Sequence, residues 1–188
     1  MQAEWPIYRQ LEAAFITRIV GLVQWIRTML NTLEIHAASE QETIRMGEAI
    51  GSILKPLDAI LMFGKLGSGK TRLAKGIISA ATGVSQDEVV SPTFTLINRF
   101  EGEFPLYHAD LYRIEPDQID GIGLEDYLEE GGAVIIEWAE KMRGFEENSL
   151  TISIEFGNLD DSRRIVLQWS KEGAWEDRIA GILSRVQH

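Results

Sequence analysis

The sequence contains no cysteine. That excludes a disulfide framework, a thiolate nucleophile and a cysteine metal cage, and it leaves the redox compartment unreadable. Basic residues are also scarce: 18 Lys and Arg stand against 29 Asp and Glu, a formal net charge of −11. Such a chain repels nucleic acid over most of its surface, so tight independent nucleic-acid binding is not expected, although a local basic patch is still allowed. No apolar run is long enough for a membrane span. No basic-then-apolar stretch ends in a small-residue cleavage site, so no signal peptide is read. Internal repeats and low-complexity tracts are missing as well. What remains is an ordinary globular composition, 45% apolar and 25% charged over 188 residues, enough to bury a sizeable core. The expected location is cytoplasmic.

The chain divides near residue 30. Residues 1–30 read as an N-terminal amphipathic helical extension that begins at Pro6, since proline is tolerated in a helix's first turn. On a helical wheel Leu11, Phe15, Ile19, Leu22, Trp25, Ile26 and Met29 share one broad face, and Arg9, Gln10, Thr17, Gln24, Arg27 and Thr28 lie opposite. Arg18 falls on the apolar side and argues against a span. Three readings stay open: a helix packed on its own domain, a docking helix for a partner or membrane surface, or an extension upstream of an alternative start at Met29.

Residues 31–188 alternate strand and helix. "TLEIHA" reads as a short strand. "SEQETIRMGEAIGSIL" reads as a helix, with Ser39 as N-cap and Glu42 completing a capping box. Ile44, Ala49 and Ile50 are its expected buried stripe. "DAILMFG" and "GGAVIIEW" have the unbroken apolar character of strands buried on both faces. "TFTLINRFEGEFPLYHADLYRI" and "LTISIEFGNLDDSRRIVLQWS" each show two extended runs around a turn, which predicts two hairpins. "GAWEDRIAGILSRV" closes as an amphipathic helix. The expected fold is α/β: a three-layer core like that of P-loop nucleotide-binding proteins, with a mixed sheet and antiparallel hairpins.

The sharpest signal is "GKLGSGKT", residues 64–71. Gly64, Gly69, Lys70 and Thr71 satisfy G-x-x-x-x-G-K-[ST], the Walker A form, between a strand and a helix. The glycines let successive N–H groups point inward as a nest for phosphate oxygens. The following helix adds its positive N-terminal end. Lys70 reaches the β- and γ-phosphates, and Thr71 offers magnesium a hydroxyl. Gly64, Leu66, Gly67, Ser68, Gly69, Lys70, Thr71 and Arg72 are therefore the expected phosphate-binding set. The bland alternative is a glycine-rich turn, but four fixed positions arise by chance on the order of once in a hundred chains of this length.

Such a loop needs a second acid. Glu137 follows the apolar "AVII", and Asp110 ends "LYHA"; both are candidates to hold magnesium or order a water. Either is equally a solvated strand end on spacing alone.

The segments "GKLGSGKTRLAKGI", "SPTFTLINRF", "LYHADLYRI", "GLEDYL" and "VIIEWAEKM" occur in this order. Together they resemble the TsaE (YjeE) family of bacterial P-loop ATPases, over roughly residues 32–170. The resemblance implies ATP and magnesium as cofactors, ATP hydrolysis that is slow and partner-dependent, and a requirement in threonylcarbamoyladenosine formation in tRNA. The implied partner is the TsaB–TsaD pair, on which the protein acts as regulator or resetting factor. Lys70 and Glu137 become the catalytic pair, and Thr71, Asp110 and Glu137 the metal contacts. Trp138 lies beside the nucleotide, and Ser91, Pro92, Thr93 and Phe94 form a switch-like loop near the γ-phosphate. Without the resemblance, that loop reads as an ordinary turn into a strand.

Two positions depart from the family pattern: Lys65, where Asp or Glu is usual, and Ala139, where proline often follows "EW". Lys65 tightens nucleotide binding, alters hydrolysis or points to solvent. His108 shares a strand face with Asp110; it is read as a packed histidine, with orientation of that acid or contact with a partner as the alternatives. Tyr107, Tyr112, Trp169 and Trp175 read as core or surface aromatics. Arg113 serves either a phosphate, a partner or a salt bridge. "DQIDGIGLEDYLEE" reads as a solvated acidic patch, with a basic surface on a partner as the alternative. Two rival functions remain: a P-loop small-molecule kinase, for which no arginine-rich lid is visible, and a nucleotide sensor that needs no turnover. A GTPase lacks its N-K-x-D segment.

Overall fold

The computed structural model describes residues 30–142, 149–170 and 173–186. The N-terminal helix expected over residues 6–30, and Met29 as a start, lie outside the described residues except for Leu30. That residue is already sheet.

Seven strands form one sheet in the order β1-β7-β6-β2-β5-β4-β3. They are β1 (Leu30–Ala37), β2 (Ala59–Phe63), β3 (Ile97–Phe100), β4 (Leu106–Asp110), β5 (Ala133–Glu137), β6 (Ser149–Phe156) and β7 (Arg163–Ser170). The centre is parallel: β2 pairs with β5 and β6, and β5 with β4. The flanks are antiparallel, β3 on β4, β6 on β7 and β7 on β1. Both expected hairpins form. The first uses only Ile97–Phe100 as its leading strand, because "TFT" is turn rather than strand.

Four helices join them: α1 (Glu40–Gly51), α2 (Lys70–Thr82), α3 (Leu124–Glu129) and α4 (Glu176–Val186). Each face of the sheet has its own core. On one, Ile60, Met62, Ile135 and Ile152 meet Met46 and Ile50 of α1, Leu73 and Ile77 of α2, and Trp175 and Ile179 near α4. On the other, Ala59, Leu61, Val134 and Ile136 meet Leu124 of α3. The alternation along β2 and β5 follows from the two-residue period of a strand. The result is the expected three layers.

Ser39 caps α1: its Oγ accepts from Glu42 N–H at 3.2 Å. Glu42 returns the bond to Ala38 N–H at 2.7 Å, one residue before the cap, so the capping box is shifted. The buried line of α1 runs through Thr43, Met46, Gly47, Ile50 and Gly51. Ile44 and Ala49, expected in that stripe, are half-buried flanks. The reason is close helix packing. A Cβ on Gly47 would strike the Leu73 carbonyl, and one on Gly76 would strike the Ile44 carbonyl. Glycines make that contact, and a search for apolar spacing does not count them.

Candidate functional site

Parallel strands send their carboxyl ends to one edge of a sheet, where α/β proteins place their ligands. Here register does the rest. Asp110 is opposite Glu137 across β4 and β5, and Met62 is opposite Glu137 across β2 and β5. Leu106, His108 and Asp110 alternate onto the face that α2 covers, as do Ala133, Ile135 and Glu137. The loop from Gly64 to Gly69 leaves β2 beside them and enters α2. A cleft of about 630 Å³ lies there, lined by Leu66, Gly67, Gly69, Lys70, Thr71, Arg72, Ser91, Thr93, Asp110, Tyr112, Glu137 and Trp138, with Glu40, Ile44 and Lys75 completing it.

Three loop glycines take positive φ: Gly64 (147°), Gly67 (77°) and Gly69 (109°). A side chain at Gly64 would also strike the Ile154 carbonyl of β6. This is the nest geometry that the motif predicts. Gly64 and Ser68 stand behind the loop rather than in the cleft wall. Ser68 is buried, and its Oγ has no hydrogen-bond partner among the described residues.

Lys70 donates through Nζ to the carbonyls of Gly64 (2.7 Å) and Lys65 (3.1 Å) and sits 3.8 Å from the centre of the Trp138 ring. Burial holds its ammonium below the usual lysine range; nearby Glu137, Glu140 and Asp110 pull partly the other way. Trp138 adopts φ 62°, a left-handed conformation that is strained for a bulky residue. It packs against Tyr112 with ring centres 4.8 Å apart. Tyr112 thus belongs to the cleft, whereas Tyr107, Trp169 and Trp175 are core.

Glu137 is buried, and both its oxygens are occupied. Thr71 Oγ1 donates to Oε2 at 3.0 Å, and His108 Nε2 lies 2.9 Å from Oε1. His108 is fully buried, and its Nδ1 has no hydrogen-bond partner among the described residues. A proton on Nε2 lets the ring donate to the Glu137 carboxyl oxygen. His108 is packed, as expected, and the acid it holds is Glu137 rather than Asp110. Asp110 Oδ2 accepts from Ser91 Oγ (2.6 Å) and Thr93 Oγ1 (2.9 Å), which are themselves 2.8 Å apart. Two hydroxyl protons serve three contacts, so one contact always lacks a hydrogen. Oδ1 accepts from Tyr112 N–H at 2.9 Å. Leu96, at φ 67°, ties the same segment down: its N–H bonds Pro92, and its carbonyl accepts from Asp110 N–H. Phe94 projects from that segment almost fully exposed (87%), with Arg113 over its ring at 4.6 Å.

The donors at the cleft floor are all oxygen: the Thr71 hydroxyl and the carboxylates of Glu137 and Asp110. That set suits magnesium, which needs one or two carboxylates and takes its other ligands from water and phosphate. No cage of three or more His, Asp or Glu occurs among the described residues, which such an ion does not require.

Lys65 is exposed and outside the cleft wall; only its carbonyl faces Lys70. Arg72 pairs with Glu40 across the first turns of α2 and α1. Sequence reasoning missed Glu40 and Ile44, which tertiary packing alone brings to the cleft, and Lys75, which shares a face of α2 with Thr71 one helical turn earlier. It also missed Arg163, whose Nε donates to the Ser68 carbonyl at 2.8 Å. A signal for Arg163 existed: it alternates in phase with Ile165, Leu167 and Trp169, on the buried face of β7.

Residues 37–165 match the family described as threonylcarbamoyl adenosine biosynthesis protein TsaE. The chain belongs to the TsaE family. A TsaE described as a tRNA threonylcarbamoyladenosine biosynthesis protein, from Nostoc sp., is 40% identical over 131 residues, 66% of this chain and 79% of that one. The Bacillus subtilis TsaE of the same description is 34% identical over 139 residues, 72% of this chain and 85% of that one. The crystal structure of Bacillus subtilis YdiB superposes with a TM-score of 0.65 at 27% identity, covering 85% of this chain and 99% of that one. The TsaE match runs from the end of β1 into β7, and so takes in the whole cleft. No helix among the described residues is long and apolar enough to cross a membrane.

Proposed function

We propose that this TsaE-family chain binds ATP with magnesium in the cleft, hydrolyses it, and acts on the TsaB–TsaD pair as a regulator or resetting factor for threonylcarbamoyladenosine modification of tRNA. The observation that carries the reading is the clamp on Glu137, held from one side by Thr71 of the phosphate loop and from the other by buried His108. A mere strand end needs no such clamp.

The residues divide the work. The N–H groups of the glycine loop and the start of α2 receive phosphate oxygens. Lys70 releases the loop carbonyls and turns to the phosphates, guided by Trp138. Magnesium, when bound, offsets phosphate charge. Thr71 would help to hold that ion, and its hydroxyl would then leave Glu137 Oε2 free. His108 keeps the other oxygen fixed, so Glu137 is aimed to take a proton from an attacking water. Asp110 links the site to Ser91 and Thr93, so filling the cleft repositions the segment that carries Phe94.

The same link supports a second reading, a sensor for which ATP binding alone suffices. ATP hydrolysis by the purified chain, alone and with the TsaB–TsaD pair from the same organism, separates the two. Stimulation by the pair that is lost in Glu137→Gln supports the coupled ATPase. Binding to the pair without turnover favours the sensor. Hydrolysis indifferent to the pair points to a kinase or another partner.

A further inference from the structure

Arg163 opens β7 with its side chain buried. No carboxylate pairs with its guanidinium among the described residues. Its bonds run instead to backbone carbonyls: Nε to Ser68 at 2.8 Å, and Nη1 to Asp160 at 2.9 Å and Ser162 at 2.7 Å. The Phe156 ring lies 5.0 Å away. The turn that holds this arginine is itself closed. Gly157 N–H bonds Ser162, and Ser162 Oγ exchanges bonds with both the N–H and the carbonyl of Leu159. A buried guanidinium is thus anchored on the hairpin and reaches into the phosphate loop from behind.

The bond to Ser68 has a directional consequence. A trans peptide is planar, and its C=O and N–H point opposite ways. With the Ser68 carbonyl drawn toward β7, the N–H of Gly69 points away from β7, toward the cleft that Gly69 lines. Gly67 and Gly69 both lie at positive φ on either side of Ser68. A flip of this peptide turns ψ of Ser68 and φ of Gly69, and glycine makes the second of these rotations inexpensive. Flipped, it would present a carbonyl oxygen where phosphate oxygens are received. The flip would also break a charge-assisted bond and strand a buried donor.

We propose that Arg163 is a positioning residue that locks the Ser68–Gly69 peptide with its N–H toward the cleft, and so sets the phosphate loop in its anion-receiving form. The inference rests on the nucleotide reading of the cleft. It gives the β6–β7 hairpin a part in ligand binding, although none of its residues line the site.

The test uses the full chain as wild type, Arg163→Lys and Arg163→Met. Each is titrated calorimetrically with MgATP and with inorganic tripolyphosphate, and the Gly69 amide is followed in a proton–nitrogen spectrum. Lysine keeps the charge but not the fork that spans Ser68 and the turn. Affinity for both probes is expected to fall about tenfold or more in both variants, with the Gly69 amide displaced in the free protein and unresponsive to tripolyphosphate. A lysine variant that binds like wild type overturns the lock, even with methionine weakened, because charge alone would then suffice. Should the methionine variant fail to fold, the lysine variant decides. Wild type that binds neither probe takes down the nucleotide reading itself. Wild type that binds, with unaffected variants, takes down only the role of Arg163.

Discussion

Glu137 and Lys70 are both held by the protein's own groups, and their substitutions should separate binding from turnover. Glu137→Gln keeps the shape and can still meet His108 and Thr71, so MgATP affinity should stay within about threefold while kcat falls a hundredfold or more, as for loss of a general base. Normal turnover in that variant would remove Glu137 from the chemistry. Lys70→Ala should abolish measurable ATP binding in the same titration. Thr71→Ala should flatten the magnesium dependence of hydrolysis, and an unchanged dependence would argue against its ligand role. His108→Leu removes the donor that holds Glu137 Oε1; kcat should drop at least tenfold with KM for ATP little changed. A matched loss in KM would mean that His108 serves only packing. Lys65→Glu should change MgATP affinity less than threefold, because an exposed charge outside the cleft wall is largely screened.

At the scale of elements, the loop and helix α2 were legible because the G-x-x-x-x-G-K-[ST] motif fixes residue types at fixed spacing. The strands were legible from their apolar runs. The α1 stripe was not, since the α1–α2 contact is made by Gly47, Gly51 and Gly76 rather than by large side chains. Gly47→Ala or Gly76→Ala should therefore destabilise the fold by about 1–3 kcal/mol or more, despite alanine's better helix propensity, because the new methyl meets backbone that cannot yield. A denaturant melt with the midpoint unchanged would contradict that packing. Arg163 shows the reverse case. Its alternation with Ile165 and Leu167 was in the sequence, but a buried arginine is rare enough that position alone reads as a strand end.

Across the whole molecule, helix α4 is tied to the central sheet by Arg178. Its guanidinium meets Asp58 at 2.6 and 2.9 Å, just before β2, and donates to the Ile53 and Ala174 carbonyls. Both side chains are largely buried. Arg178→Met leaves the Asp58 carboxylate without its counter-charge, which should cost about 3–5 kcal/mol. Restoring most of that loss with Asp58→Asn in the same chain would show that the cost is the stranded charge rather than lost packing. The cleft lies at the opposite end of β2, so MgATP affinity of the folded variant should be unchanged.

The sequence by itself determined the α/β class, the hairpins, the glycine-rich turn from β2 into α2 and the membership that its ordered motifs announce. These depend on local spacing and on side-chain character, which a chain carries before it folds. The tertiary structure alone decided that Glu137 is clamped between Thr71 and His108, that Asp110 is wired to Ser91 and Thr93, and that Arg163 holds the loop from behind. Those pairs lie far apart in the chain. They meet only because parallel register brings β2, β4 and β5 to one edge and the β6–β7 hairpin folds back beneath it.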